Sequence, residues 1–299
     1  MSKLLLAFCL LTTLAFQTAV AAPAEPSEAE IAALKKAFSE LHPKTGTITL
    51  KDNLATIKVP EGLQYLDPKD TEFILVKIWG NPPQSAHDAL GMLVKSPRDA
   101  VNAGGWGIVI TYSEDGHVDD SDATKIDYPA LLKQMKEGTA EANKERTKQG
   151  YPTMQLVGWA EPPHYDASTR KIYWAKEIAF EGRDVHTLNY CTRILGRRGV
   201  LELNAVASIG ALPAIREEAQ KVIAQVDFNP GNRYADYNKS TDKLATYGVA
   251  ALVAGGIAGK MGLFKVLLGV LLAAKKLVIV GVIALYAGIK KLFGGKKSE

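Results

Sequence analysis

The segment that most restricts the fold is Leu188–Ser208, because only one pairing register satisfies both of its faces. Gly196-Arg197-Arg198-Gly199 supplies the turn. With Gly196 opposite Gly199, Leu188, Tyr190, Thr192 and Ile194 share a face with Leu201, Leu203, Ala205 and Ala207. The same register sets Arg193 against Glu202 and Cys191 against Asn204 on the other face. Strand side chains alternate with a period of two, so a slip by one residue would turn the apolar set outward and separate the charge pair. The chain therefore contains an antiparallel sheet with at least one buried face.

Two more hairpins are expected. Residues 46–59 alternate around Asp52-Asn53, with Ile48 and Leu50 facing Ile57 and Val59. Met154–Phe180 folds around Tyr165-Asp166-Ala167-Ser168-Thr169, which brings Trp159 near Trp174 and sets Glu161 opposite Trp174 and Glu177 opposite Gly158. The two carboxylates then fall out of register and do not make an acid–base pair. Short strands are expected at 90–94 and 106–112. Ser27 and Glu30 form a capping box before an amphipathic helix, 28–41, whose apolar face carries Ile31, Leu34, Phe38 and Leu41. Further helices are expected at 69–79, at about 128–149 behind Asp127 and Pro129, and from Pro213 to about Val226. Hairpins outnumber parallel-strand signals, so the fold class is α+β: antiparallel β-hairpins with packed helices.

The ends of the chain have another character. Lys3, the apolar run Leu4–Phe16 and Ala19-Val20-Ala21 match an export signal cleaved after Ala21. From Leu244 to Phe293 there is no acidic residue and no Arg. Lys260, Lys265 and Lys275-Lys276 divide this stretch into apolar pieces, and on one helix Lys265, Lys276 and Lys290 fall within about 40° of each other. Such a lysine stripe can snorkel to headgroups or face partner helices. The organisation expected is a signal peptide (1–21), a linker with the amphipathic helix (22–44), an extracytoplasmic domain (45–236), a linker (237–243), a membrane anchor of one or more helices (244–293) and a basic tail (294–299). One crossing places the terminal lysines inside, as the positive-inside rule prefers, and a helical hairpin, 244–264 with 272–291, is the alternative.

Charge limits the partners. The whole chain carries +4, residues 1–21 carry +1 and residues 244–299 carry +7, which leaves −4 on residues 22–243. A slightly acidic domain lacks the basic footprint of a nucleic-acid binder. Removal of the signal takes Cys9 and leaves Cys191 alone, unable to form an internal disulfide or a Cys-rich metal site. The five histidines show no metal-ligand spacing, and the acidic run Glu114–Asp122 reads as a capped turn rather than a calcium loop. No cofactor motif is present. Trp79, Trp159 and Trp174, with Glu161, Arg197 and Arg198, make up the candidate ligand or partner surface.

Several segments resemble the DUF2167 family: Trp79-Gly80-Asn81-Pro82-Pro83, Val157–Pro163, Leu188-Asn189-Tyr190, Leu195–Leu201, Asn229–Asp236 and Tyr247–Gly256. The resemblance implies a membrane-anchored bacterial protein without an assigned activity, and supplies no catalytic residues. The closing order of hairpin, helix and Asp227-Phe228 also resembles the PsbP/Mog1 type of α+β fold. The expected function is binding or scaffolding in the cell envelope, with the domain outside the inner membrane and the bilayer, envelope proteins or further copies of the tail as partners. The alternatives are a membrane-active oligomer assembled through the tail, and an envelope enzyme. The fragment 22–243 is expected to fold alone.

Overall fold

The computed structural model describes residues 36–255, apart from 80, 82, 102–104 and 149–151. The export signal, the first part of helix 28–41 and the apolar tail from 256 onward, including its lysine stripe, lie outside the described residues. Among the described residues no helix is long and apolar enough to cross a membrane.

The strands are β1 (Thr47–Thr49), β2 (Ala55–Lys58), β3 (Gln64–Leu66), β4 (Ala89–Val94), β5 (Ile108–Ser113), β6 (Met154–Asp166), β7 (Lys171–Phe180), β8 (Thr187–Leu195), β9 (Val200–Ser208) and β10 (Val226–Phe228). The helices are α1 (Pro68–Glu72), α2 (Tyr128–Lys148), α3 (Leu212–Ala224) and α4 (Val249–Ala254). Local chemistry explains most of their boundaries. Asp67 caps α1, accepting from the amides of Lys69 and Asp70 at 3.1 Å, with Pro68 in the first turn. A wider turn then carries α1 on to Ile78. Asp127 accepts from the Ala130 amide at 2.9 Å and starts α2 as expected. Asp52 and Asn53 both take left-handed backbone, φ 56° and 54°, which their short polar side chains tolerate in a hairpin turn.

Seven strands form one antiparallel sheet in the order β3-β4-β5-β9-β8-β7-β6, and β1-β2-β10 form a smaller one. The β8–β9 register is the one its patterning requires: Tyr190 pairs with Ala205, Cys191 with Asn204 and Arg193 with Glu202, and the Gly196 amide donates to the Gly199 carbonyl at 2.8 Å. The β6–β7 register departs from expectation at one point. Gly158 does pair with Glu177, but Glu161 pairs with Ala175 rather than Trp174. The ladder shifts on both sides of Glu161. Pro162 and Pro163 have no N–H to offer, so the strand cannot keep its step there.

Both faces of the large sheet are buried. On one, Leu188, Tyr190, Ile194, Leu201 and Leu203 join Ile215 and Val222 of α3 and Ile57, Val226 and Phe228 of the small sheet. On the other, Ile172, Trp174, Cys191, Leu195 and Val200 join Ala245, Val249, Leu252 and Val253, with Trp159, Tyr165, Tyr234 and Tyr247 around them. Sequence composition puts an anchor region at 244, yet these first residues of it are part of the domain's core. Each of the three larger side chains contributes roughly 1.5–3 kcal/mol by leaving water. A third cluster gathers Leu66, Met92 and Val94 under Ile74, Leu75 and Ile78, flanked by Phe38, Leu41 and Trp79. Phe38 meets Phe73 edge-on at 5.8 Å.

Candidate functional site

The densest polar constellation lies where the chain returns from β10 toward its tail. The loop after β5, residues 114–122, is rich in carboxylates, and each of several grips a different part of that returning segment. Asp115 accepts from the Tyr247 hydroxyl at 3.1 Å. The Asp122 carboxylate accepts from the amides of Val249 and Ala250 at 3.0 and 3.1 Å. It therefore caps α4 from more than a hundred residues away, where Gly248 has no side chain to do so. The backbone of His117 donates to the Lys243 carbonyl at 2.8 Å and accepts from the Ala245 amide at 2.7 Å. Gly116 allows that approach: at φ 115° a Cβ there would lie 2.8 Å from the Ala245 nitrogen and the Lys243 oxygen.

The β8–β9 turn closes the other side. Arg197 forms a two-point ion pair with Asp242, Nε to Oδ2 at 2.6 Å and a terminal nitrogen to Oδ1 at 3.0 Å, and its amide donates to the Asn232 carbonyl. That pairing, with the Asn238 amide, holds the Asp242 carboxyl down at about 2. Beside it, Asp120 accepts from the hydroxyls of Tyr165 and Tyr234 and from Arg170, whose guanidinium lies 4.8 Å over the Tyr234 ring. Burial pushes the Asp120 carboxyl up, but these donors and the Arg170 charge outweigh it and leave it below the usual 3.8. Burial and the Asp120 carboxylate push the Tyr165 hydroxyl up to about 12. Asp242, Asp120 and Tyr165 keep their ordinary charge states at neutral pH, and the network ties chain segments together.

The residues singled out by sequence divide between this socket and other places. Arg197 and Arg198 are at its turn. Arg197 is committed to Asp242, while Arg198 stays half exposed, with Nε 3.7 Å from Glu114. Trp159 and Trp174 belong to the cluster on the same sheet face. Arg193 lies 5.3 Å over the Trp174 ring, and neither buried indole nitrogen has a hydrogen-bond partner among the described residues. Trp79 is elsewhere, donating to the Ala100 carbonyl at 2.8 Å. Glu161 points to the opposite face and pairs with Arg216 of α3 at 2.7 Å. Tyr173 and Tyr190 lie nearby with parallel rings 6.5 Å apart, and His164 is 5.1 Å from Tyr173. Glu177 meets His186 at 2.5 Å, so the two carboxylates do not converge. Sequence reasoning did not single out Arg170, Tyr237 and Asp242, and it set His117 and Asp120 aside with the acidic run Glu114–Asp122. The nearest signals were that acidic run, which holds His117, Asp120 and Asp122, and the family-like segment Asn229–Asp236, which holds Tyr234.

The family described as "Protein of unknown function (DUF2167)" matches residues 42–286, which is most of the chain. The chain belongs to the DUF2167 family. The match takes in the β8–β9 turn, the 114–122 loop, the returning segment and much of the apolar tail of this DUF2167 member. Among proteins with curated descriptions, none matches. Two solved structures are similar over 63% of the chain, each with a TM-score of 0.34. Cyanobacterial PsbP (CyanoP) from Synechocystis is 9% identical, with 92% of its own length covered. The Ran-binding protein Mog1p of Saccharomyces cerevisiae is 14% identical, with 96% covered.

Proposed function

We propose that this DUF2167 member is a tethered binding or scaffolding domain of the bacterial envelope, exported by residues 1–21 and held at the inner membrane by its apolar tail. One observation carries the reading: the chain docks into the domain core immediately before that tail. Ala245, Val249, Leu252 and Val253 are buried, Asp122 caps α4, and Arg197 holds Asp242. A flexible leash would need none of these contacts. A domain that must keep a fixed pose over a surface needs the residues next to its tether gripped, and the socket supplies that grip. The separate engagement of Glu161 with Arg216 and of Glu177 with His186 favours recognition over acid–base chemistry.

Fractionation of cells making the full chain tests the reading. The protein should stay with membranes through high-salt and alkaline washes. A chain ending at residue 255 should appear soluble in the extracytoplasmic fraction. Full-length protein in the soluble fraction, or a truncated chain that remains with membranes, would overturn the tether. The alignment of Lys265, Lys276 and Lys290 favours a second reading, a membrane-active oligomer, and ion conductance in reconstituted vesicles would select it.

A further inference from the structure

We propose that His117 is an acid-sensitive latch: its neutral ring holds the segment 243–254 closed, and a second proton on that ring releases it. The latch goes beyond the tether reading and borrows from it only the consequence, which is that the root of the tail loosens.

The geometry places one ionisable ring at the point of attachment. His117 is buried, 6% exposed. It stacks on Tyr237 at 4.0 Å with the planes 10° apart, and meets Tyr234 at 4.2 Å. The backbone carbonyls of Arg197 and Gly196 lie beside the ring and favour its charged form. Ring Nδ1 is buried without a hydrogen-bond partner among the described residues. A neutral imidazole has one N–H and can leave Nδ1 without a proton. The imidazolium has two, and the second would be a charged donor with no acceptor, which burial penalises heavily. The His117 backbone makes both hydrogen bonds to Lys243 and Ala245. A ring forced out of its slot therefore disturbs the two bonds that join the returning segment to the loop.

Neighbouring charges set the direction. On its own loop, Asp119 and Asp120 favour the charged ring. On the β8–β9 turn and the returning segment, Arg197 is neutralised by Asp242, and Lys239 lies near Asp119. On the β6–β7 turn, Arg170 is paired with Asp120. The flanking Tyr234 keeps its proton, because burial and the Asp120 carboxylate push its hydroxyl up. Burial outweighs the Arg197 and Gly196 carbonyls and the two carboxylates together, and lowers His117 below its ordinary 6.5. The open state then binds more protons than the closed one, so closure is fully stable above about pH 6.5 and weakens as pH falls toward the lowered value. Asp119, Asp120 and Asp242 all titrate below 3.8 and remain ionised through that window.

Hydrogen exchange on the full chain, corrected for the intrinsic pH dependence of exchange, provides the test. Between about pH 7.5 and about pH 5.5, protection of peptides covering 243–254 should fall several-fold, up to about ten-fold, while β8 and β9 stay protected. His117→Phe, which keeps the stack and cannot be protonated, should abolish the pH dependence. An unchanged dependence in His117→Phe overturns the latch, as does equal protection of the segment at both pH values in the native chain. If His117→Phe does not fold, the imidazole titration followed by NMR in the native chain decides, and a value at or above 6.5 refutes the proposal. Fractionation is independent of these readouts, so tether and latch can fail separately.

Discussion

The two faces of the seven-stranded sheet are equally buried but are covered in different ways. Over one face lie α3 and the small sheet, and the cover follows from ordinary patterning. Ile215, Ala219 and Val222 recur at helical spacing and meet Leu188, Tyr190 and Leu203. Over the other lies a short helix of six residues with no capping side chain of its own. It is too short to be stable by itself. Single polar groups from a distant loop hold it in place: Asp122 at its amides, Asp115 at Tyr247 and the His117 backbone at Lys243 and Ala245. One cover is secured by area, the other by area plus a few hydrogen bonds. The second is therefore the face that a point mutation or a change of pH can open.

The largest effect should come from removing that second cover. A chain ending at residue 243 loses the burial of Val249, Leu252 and Val253 and exposes Trp174, Cys191 and Val200. At roughly 1.5–3 kcal/mol for each side chain, the loss is about 5–9 kcal/mol, comparable with the whole stability of many domains. Thermal denaturation should show a cooperative transition for residues 36–255 and a lost or much lowered one for 36–243. Equal transitions would mean that the two covers are not comparable and that the first face alone holds the fold.

Arg193→Glu comes next. The pair with Glu202 at 3.2 Å is mostly shielded, with side chains 11% and 20% exposed, and Arg193 also donates to Asn204 and lies over Trp174. Like charges in that setting should cost about 3 kcal/mol. Adding Glu202→Arg should recover most of it, and a double-mutant cycle without coupling would break the register assigned to this face. Asp122→Ala removes the cap of α4 and should cost about 1 kcal/mol. Hydrogen exchange should show the loss concentrated in 249–254, and a loss spread evenly over the sheet would contradict a local cap. Smallest of all should be Glu161→Gln on the first face. Its partner Arg216 is about half exposed, and stability should change by less than about 0.5 kcal/mol. A chemical-denaturation midpoint shifted by much more would show that the first face also depends on single polar contacts.

What the sequence made legible follows the same division. The register of β8–β9, the Asp127 start of α2 and the Pro213 entry to α3 come from periodicity and capping within a few residues of one another. The partners that make the socket are far apart. Asp122 and Val249, or Tyr234 and Asp120, are separated by more than a hundred residues, and nothing in a single sequence links one carboxylate to one distant amide. The stretch 244–254 was also hidden by its surroundings, since apolar residues that begin an acid-free tail have the same composition whether they meet lipid or a sheet. β10 escaped notice for a related reason: Asp227-Phe228 is too short to pattern, and its pairing with β2 closes a loop of about 170 residues. Of the candidate surface, Arg197 and Arg198 lie at the turn beside the socket, and Arg197 is paired internally with Asp242. The tryptophans marked core, as large aromatics on strands commonly do.

The place where the returning segment joins the domain also determines how a mechanical load would travel. Tension applied to the tail at Gly255 passes through α4 to the Asp122 cap, then to the isolated parallel bridge between His117 and Leu244. From there it enters the loop that leaves β5, a strand in the interior of the sheet order. The pull therefore arrives beside the middle of the sheet and meets strands bonded on both sides, instead of peeling an edge strand away. The first part to yield would be the 114–122 loop, and β8 and β9 would keep their pairing while it did.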